Sequence, residues 1–145
     1  PQLLAELEGV EEKRGDLMFI GATNTPWLLD PAVLRPGRFD DKIYVGLPDR
    51  EARAEIFKIN LNGKYLSSDI DYLTLADYTK DYSGADIREI CNKASKNRFL
   101  DAVKKKKERE GKPISMRDLE KAIERVSPSI DKKMREKLEK FEEKY

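Results

Sequence analysis

Histidine is absent from this sequence of 145 residues, so the side chain that most often serves as a general base or metal ligand near neutral pH is missing. Any chemistry must therefore use carboxylates, arginine, lysine, asparagine or hydroxyl groups. The single cysteine, Cys91, can form no internal disulfide, which suits a reducing compartment, and a cytoplasmic location is expected. Apolar runs are only a few residues long, so no membrane insertion is expected, and neither end is typical of a signal peptide.

The sequence also has no large excess of charge of either sign. Lysine and arginine together number 29, aspartate and glutamate 28, and the charged share of 39% means that much of the chain must face water. No global basic excess indicates nucleic acid or an anionic membrane. The lysines at 104–107 could bind nucleic acid or an acidic partner. However, Glu108 and Glu110 reduce the local positive charge, and no aromatic residues lie between the lysines to stack on bases. A solvated helix end is the better interpretation, and no nucleic-acid partner is expected.

Hydrophobic patterning divides the chain into two parts. After a short helix predicted at residues 3–7, the apolar runs at 17–21 and 43–45 predict β-strands buried on both faces, as in a parallel sheet. From Asp49 onward the pattern is helical. The sequence therefore predicts an α/β segment at residues 1–47 followed by an all-α bundle at residues 48–145.

Capping signals mark where the helices of the second part begin. Asp49 can cap the first of them. Ser83-x-x-Asp86 and Ser115-x-x-Asp118 are capping boxes, in which the two side chains satisfy backbone N–H groups at a helix start. The last helix has a narrow apolar stripe formed by Ile130, Met134, Leu138 and Phe141. This stripe predicts that a mostly solvated helix docks along one line, on its own chain or on a neighbour.

Four segments occur in order at residues 19–26, 29–40, 47–56 and 82–87. They read FIGATNTP, LDPAVLRPGRFD, LPDREARAEI and YSGADI, and together they resemble AAA ATPases, particularly the valosin-containing-protein-like branch. The resemblance covers nearly the whole chain. It implies a fold class with an α/β remnant, part of a P-loop parallel sheet, followed by an all-α helical lid bundle. Residues 1–47 would be the C-terminal part of the nucleotide-binding subdomain, and 48–145 the lid with its C-terminal helix.

The resemblance places three polar side chains in catalytic roles. Asn24 matches the family's sensor, whose neutral amide can hydrogen-bond to the attacking water or the terminal phosphate, although taken alone it is better explained as a turn residue. Arg35 and Arg38 match a pair of arginine fingers, which would stabilise the transferring phosphate in a neighbouring subunit. The alternative is two surface arginines with ordinary ion pairs. Pro36-Gly37 between them predicts a tight turn that aims both guanidinium groups outward.

Four further residues match nucleotide-contacting positions of the lid. Gly84 and Ala85 match the second-sensor turn, where this branch has no arginine and the contact is made by backbone and small side chains. The glycine could instead serve only the turn, and both interpretations can hold together. Ile56 and Asn60, one helical turn apart, match positions that flank adenine, although Ile56 could equally be an ordinary core residue.

The resemblance implies ATP and magnesium as cofactors, but the parts that hold the phosphates and the metal are not in this sequence. No G-x-x-x-x-G-K-[ST] loop and no apolar strand ending in an Asp-Glu pair occurs in the chain, so the magnesium ligands are expected upstream. Without partner strands, residues 1–47 are expected to be rearranged, disordered or paired with another chain, while the part from Asp49 folds on its own.

The whole protein is expected to be an ATP-driven machine that remodels, unfolds or segregates proteins. Its partners would be identical subunits in a ring, expected to be a hexamer, together with protein substrates and adaptors. The alternative is a helical interaction or oligomerisation module without catalysis.

We expect the 145-residue chain alone to hydrolyse no ATP and to bind it very weakly, because the phosphate-binding loop is missing from its sequence. Isothermal titration calorimetry with ATP and magnesium measures this directly. Micromolar affinity would contradict the expectation.

Overall fold

The computed structural model describes residues 18–104 and 112–143. Two 3₁₀ helices, Pro26–Leu28 and Pro31–Leu34, precede five α-helices in this part of the chain. These are α1 (Arg50–Leu61), α2 (Tyr72–Tyr78), α3 (Gly84–Lys104), α4 (Met116–Ile123) and α5 (Lys132–Glu142). The helix predicted at residues 3–7 lies outside the described residues, as do the lysines at 105–107. No helix of the described part is long and apolar enough to cross a membrane.

The chain divides into two compact units. One unit comprises residues 46–131 and contains α1 to α4, while the other combines residues 1–45 with 132–145 and contains both 3₁₀ helices and α5. The predicted domain limits of 1–47 and 48–145 stay a prediction. The grouping of α5 with the N-terminal segment is a feature that the sequence did not indicate.

The core of the helical unit follows helical periodicity. On α1, Phe57 and Leu61 are one turn apart and fully buried, and on α3 the buried face is formed by Ile87, Ile90, Cys91 and Ala94. These spacings place the apolar side chains of each helix on one stripe. α1 packs on α2 and α3, and α4 also packs on α3, with Leu119 and Ala122 in the same core. Burial also raises the pKa of the Cys91 thiol to about 11, so this cysteine is a core residue and not a nucleophile.

The helix starts form as the capping signals predict. The Asp49 carboxylate accepts from the Ala52 N–H at 2.8 Å. At α3, Asp86 Oδ2 accepts from the Ser83 N–H at 2.8 Å, while Ser83 Oγ accepts from the Asp86 N–H at 3.2 Å. The equivalent box at α4 joins Ser115 and Asp118. Each box satisfies backbone donors that a helix start leaves without a partner.

Arg53 ties the beginning of the helical unit to its second helix. Its side chain is 8% exposed, with Nε donating to the Ala76 carbonyl at 3.0 Å and Nη1 donating to the Pro48 carbonyl at 2.8 Å. Two backbone acceptors, one before α1 and one in α2, are therefore held by a single guanidinium.

The predicted strands are wrong in the described part of the chain. Residues 18–21 and 43–45 form no ladder there, and the isolated bridge between Leu66 and Ile114 belongs to the helical unit. The apolar side chains at positions 18, 20, 43 and 45 are more than four-fifths exposed. A strand requires hydrogen-bonding partners on at least one edge, and no neighbouring strand supplies them within the described residues.

Asp86 is expected to make folding of the helical unit pH-dependent. Burial opposes ionisation, but hydrogen bonds from Ser83 and Ser129 outweigh it and lower the pKa of the carboxyl below its ordinary value. A lowered folded-state pKa adds stability that is fully present above the unfolded-state pKa and is lost as pH falls through the folded-state pKa. Asp86→Asn should therefore lower the free energy of unfolding by roughly 1–3 kcal/mol at pH 7.

Urea denaturation of the 145-residue chain at pH 7 and at pH 3 measures the effect, with Glu124→Gln as the control at an exposed carboxylate. The difference between wild type and Asp86→Asn should shrink at the lower pH. A difference of the same size at both values would show that the ionised carboxylate does not contribute.

Candidate functional site

Asn24 lies in a locally ordered turn of the N-terminal unit. Its side chain is exposed, and the next residue, Thr25, donates its N–H to Thr23 Oγ1 at 3.1 Å. The Thr25 carbonyl then accepts from the Leu28 N–H at 3.0 Å, which begins the first 3₁₀ helix. The backbone around Asn24 is thus held by short-range hydrogen bonds, while its amide is presented to solvent. This geometry is compatible with a turn residue and with a sensor.

The loop that bears both candidate finger arginines begins at a capped 3₁₀ helix. The Asp30 carboxylate accepts from the Ala32 N–H at 2.8 Å. After Arg35 the backbone turns sharply at Gly37, whose φ of +83° lies in the left-handed region that glycine adopts without strain. The Gly37 N–H donates to Asp40 Oδ1 at 2.7 Å, which closes the turn. The tight turn predicted at Pro36-Gly37 is present.

The two arginines differ in how far they reach into solvent. Arg35 is exposed, whereas Arg38 is half-buried and its Nη1 donates to the Ala32 carbonyl at 2.6 Å. The prediction that both guanidinium groups point outward is therefore wrong for Arg38. The Ala32 carbonyl also accepts from the Arg35 N–H at 3.4 Å, and because a carbonyl oxygen has two lone pairs it can accept from the nearby cation as well.

Ile56, a predicted adenine-side residue, meets the predicted second-sensor turn in the helical unit. Ile56 Cδ1 lies 3.6 Å from the position that a Cβ on Gly84 would occupy, so the first helix and the start of α3 are in contact there. Ile56 is half-buried and also packs against the core cluster. Asn60 is half-buried as well, and its Nδ2 donates to the Ile56 carbonyl at 2.8 Å. Its side-chain NH₂ is thus already engaged with its own helix.

Gly84 has no evident structural reason to be glycine. Its φ is not in the left-handed region, and an added Cβ would make only ordinary van der Waals contact with Ile56. Gly84 is the first residue of α3, and neither backbone conformation nor packing within the described residues requires glycine there. Gly84 is half-buried, and the next residue, Ala85, is exposed. A small surface is therefore kept open at the start of α3.

The predicted site residues fall into two groups. Asn24, Arg35 and Arg38 lie in the N-terminal unit, while the remaining four lie in the helical unit: Ile56, Asn60, Gly84 and Ala85. Over residues 18–104 and 112–143, no group of three or more cysteine, aspartate or glutamate side chains could hold a metal ion.

Sequence analysis missed two contacts beside these groups. Ser129 donates to Asp86 from 43 residues away, and the ammonium group of Lys137 on α5 lies 5.4 Å from the ring centroid of Trp27. No local pattern marks either contact, because both join parts of the chain that are distant in sequence.

Comparison with known families gives two matches, one in each part of the chain. The profile of the ATPase family associated with various cellular activities (AAA) matches residues 1–47, and that of the AAA+ lid domain matches residues 69–121. The predicted fold class, an α/β remnant followed by an all-helical lid, is thereby confirmed.

Three relatives show how far the similarity extends. A cell division cycle protein 48 homologue of Archaeoglobus fulgidus is 42% identical over 151 aligned residues, which covers 99% of this chain and 20% of the relative. The ATP-dependent zinc metalloprotease FtsH of Rhodothermus marinus is 42% identical over 91% of this chain and 18% of its own length. The proteasome-activating nucleotidase of Archaeoglobus fulgidus is 46% identical over 86% of this chain and 29% of its own length.

The chain thus spans less than a third of each of these relatives. Both family profiles agree with the four motifs found in the sequence, and so does an alignment at 42% identity that covers nearly the whole chain. The chain belongs to the AAA ATPase family.

Proposed function

We propose that this chain supplies the sensor, the arginine fingers and the adenine-side lid of an AAA ATPase. In full length, that protein would hydrolyse ATP in a hexameric ring of identical subunits and use the energy to remodel, unfold or segregate protein substrates, with adaptors as further partners. The observation that carries the proposal is Gly84, a glycine at the start of a helix with no steric or conformational need to be one. The names of the relatives, among them a proteasome-activating nucleotidase, support ATP-dependent work on proteins.

In the lid, we assign Gly84 and Ala85 to nucleotide contact. The first N–H groups of a helix have no partner within it, and the helix dipole favours electron-rich groups at this end. The absence of side-chain bulk at Gly84 lets a sugar or base approach the backbone. Ile56, which faces this position, would supply an apolar surface for the adenine ring, and the Asn60 carbonyl oxygen a polar edge beside it.

In the N-terminal unit, we assign Arg35 and Arg38 to the ATP of the adjacent subunit. Arg35 is exposed, so its guanidinium group is accessible to a phosphate of a neighbouring subunit. Arg38 is oriented by its bond to the Ala32 carbonyl, and because a guanidinium has five N–H donors, this bond can coexist with a phosphate contact. Asn24, with its exposed amide, would orient the attacking water in its own subunit.

Magnesium does not fit the residues described here. No acidic cluster is available for it in this part of the chain, and the sequence contains no phosphate-binding loop. We therefore place the metal, the phosphate cradle and the substrate-gripping elements in other parts of the full-length protein. The buried thiol of Cys91 is consistent with the reducing environment of the cytoplasm, where we place the protein.

Removal of one arginine finger should affect ATP turnover but not ATP binding. In the full-length protein, Arg38→Ala should leave ATP affinity nearly unchanged and lower turnover by on the order of 10³, because the developing phosphate charge loses its cation. Arg38→Lys should restore little, since an ammonium group lacks the planar fork that bonds two oxygens. Steady-state ATPase assays on assembled rings provide the measurement, with Arg117→Ala, at an exposed arginine of α4, as the control.

Unchanged turnover of the Arg38→Ala rings would remove this residue from the site. Wild-type rings without any ATPase activity would instead favour the alternative of a non-catalytic interaction module.

A second experiment tests the lid. Gly84→Ala should leave the free energy of unfolding unchanged or raise it by up to about 1 kcal/mol, because alanine is the better helix former. It should nevertheless weaken ATP binding about fivefold, since the added methyl group crowds the nucleotide. Titration of the full-length protein with a fluorescent ATP analogue, together with urea denaturation, gives both quantities.

Gly63→Ala is the matched control. Gly63 has a φ of +74° with open space around it, so alanine there should destabilise the fold without changing ATP affinity. An ATP affinity of Gly84→Ala equal to that of the wild type would disprove the assignment of this turn to nucleotide contact.

A further inference from the structure

The turn that ends α1 contains the pair Asn62-Gly63, and no other asparagine in the sequence is followed by glycine. Asn62 has a φ of −57° and a ψ of +137°, and Gly63 has a φ of +74°. The Lys64 N–H donates to the Leu61 carbonyl at 3.1 Å and closes the turn. These angles and this hydrogen bond are typical of a type II turn, which favours glycine at its third position. The geometry of the turn thus places glycine directly after this asparagine.

Both residues of the pair are open to solvent. Asn62 and Gly63 are exposed, and a Cβ built on Gly63 would meet no atom within 4 Å. Within the residues that the structure describes, the Gly63 N–H has no hydrogen-bond acceptor and the Asn62 side-chain amide has no hydrogen-bond partner. Neither group therefore has to give up a protein contact in order to react.

An asparagine amide beside an unhindered backbone nitrogen can close a succinimide ring. The Gly63 nitrogen loses its proton and attacks Cγ of Asn62, the bond from Cγ to the side-chain nitrogen breaks, and that nitrogen leaves as ammonia. Water then opens the ring at either of its carbonyls. One opening gives aspartate, and the other gives isoaspartate, whose main chain runs through Cβ and Cγ. Water is the only other reactant, and asparagine is accordingly among the thermolabile residues of proteins.

Ring closure requires the Gly63 nitrogen to approach Cγ of Asn62. At the ψ of +137° this nitrogen lies away from the side chain, so the peptide unit between the two residues must rotate first. Glycine permits such a rotation more readily than any other residue. The 3.1 Å hydrogen bond from Lys64 to Leu61 opposes it, and this bond lies in an exposed turn. The turn therefore slows the reaction without preventing it.

We propose that Asn62 is a spontaneous modification site, at which the chain converts to aspartate and isoaspartate, and that this conversion loosens the end of α1 within the helical unit. The new carboxylate lies at the C-terminal end of a helix, where the helix dipole disfavours negative charge. Isoaspartate also lengthens the main chain between residues 62 and 63. The turn closed by Lys64 and Leu61 cannot keep its geometry with a longer main chain.

The same turn directs the segment that follows it. Lys64 Nζ donates to Ser95 Oγ on α3 at 2.9 Å. The Ile114 N–H donates to the Tyr65 carbonyl at 2.9 Å, and the Ser67 N–H donates to the Ile114 carbonyl at 2.9 Å. Residues 64–67 thus connect the end of α1 to α3 and to the segment before α4. A longer main chain at residue 62 shifts the register of these contacts, all of which lie in one compact unit.

The test of the modification uses the 145-residue chain, incubated for several weeks at pH 7 and at pH 9. Peptide mass spectrometry with electron-transfer dissociation should detect isoaspartate at residue 62, formed faster at pH 9 because the attacking nitrogen must lose its proton. Asn24 is a matched internal control, since it is also exposed but the N–H of the following Thr25 donates to Thr23 Oγ1 at 3.1 Å. A parallel incubation in urea gives the rate in the unfolded chain. Conversion of Asn62 only in urea, or no faster than that of Asn24, would overturn the proposal.

Urea denaturation of fresh and incubated chains measures the effect on the fold. The incubated chain should unfold at a lower urea concentration, whereas Asn62→Ser, which cannot form the ring, should show no such loss. Fresh Asn62→Asp adds the charge without lengthening the main chain, and it should lower the folding equilibrium constant about twofold to fivefold. Equal midpoints for fresh and incubated wild-type chains, with isoaspartate present at residue 62, would overturn the proposed effect on α1.

Discussion

The Oδ2 atom of Asp86 accepts hydrogen bonds from Ser83 and Ser129. This one oxygen therefore stabilises the described helical unit both at the start of α3 and at the segment that follows α4. Burying an ionised carboxylate is costly, and the cost is offset only because several donors converge on it. The same turn of α3 carries Gly84 and Ala85. The residues proposed to contact nucleotide therefore lie beside a carboxylate that also holds Ser129.

Local signals were sufficient for the helical unit. The capping boxes at Ser83 and Ser115 and the apolar spacing on α3 each involve residues within one or two helical turns, where sequence distance and spatial distance agree. The motifs then identified the family, because several ordered matches are far more specific than any single one. The core and its capped starts could accordingly be predicted, and the structure contains both.

The predictions that failed have a common physical cause. Each concerns a residue whose structure depends on hydrogen-bonding partners that its local sequence does not reveal. Residues 18–21 and 43–45 have strand-like composition, but a ladder depends on neighbouring strands. The Arg38 side chain donates to a carbonyl six residues earlier, at Ala32. Ser129, which lies between α4 and α5, is held by a carboxylate in α3. Composition gives no indication of any of these pairings.

The guanidinium of Arg53 has a practical consequence for dissecting the protein. Because it holds the Pro48 carbonyl as well as that of Ala76, residue 48 is an integral part of the helical unit even though it precedes the first helix. A polypeptide truncated to begin at residue 46 would retain both acceptors. One that begins at Arg50 would leave a buried cationic N–H without its partner, at a cost of about 1–3 kcal/mol. A recombinant form of the helical unit should therefore begin at or before Pro48, upstream of α1.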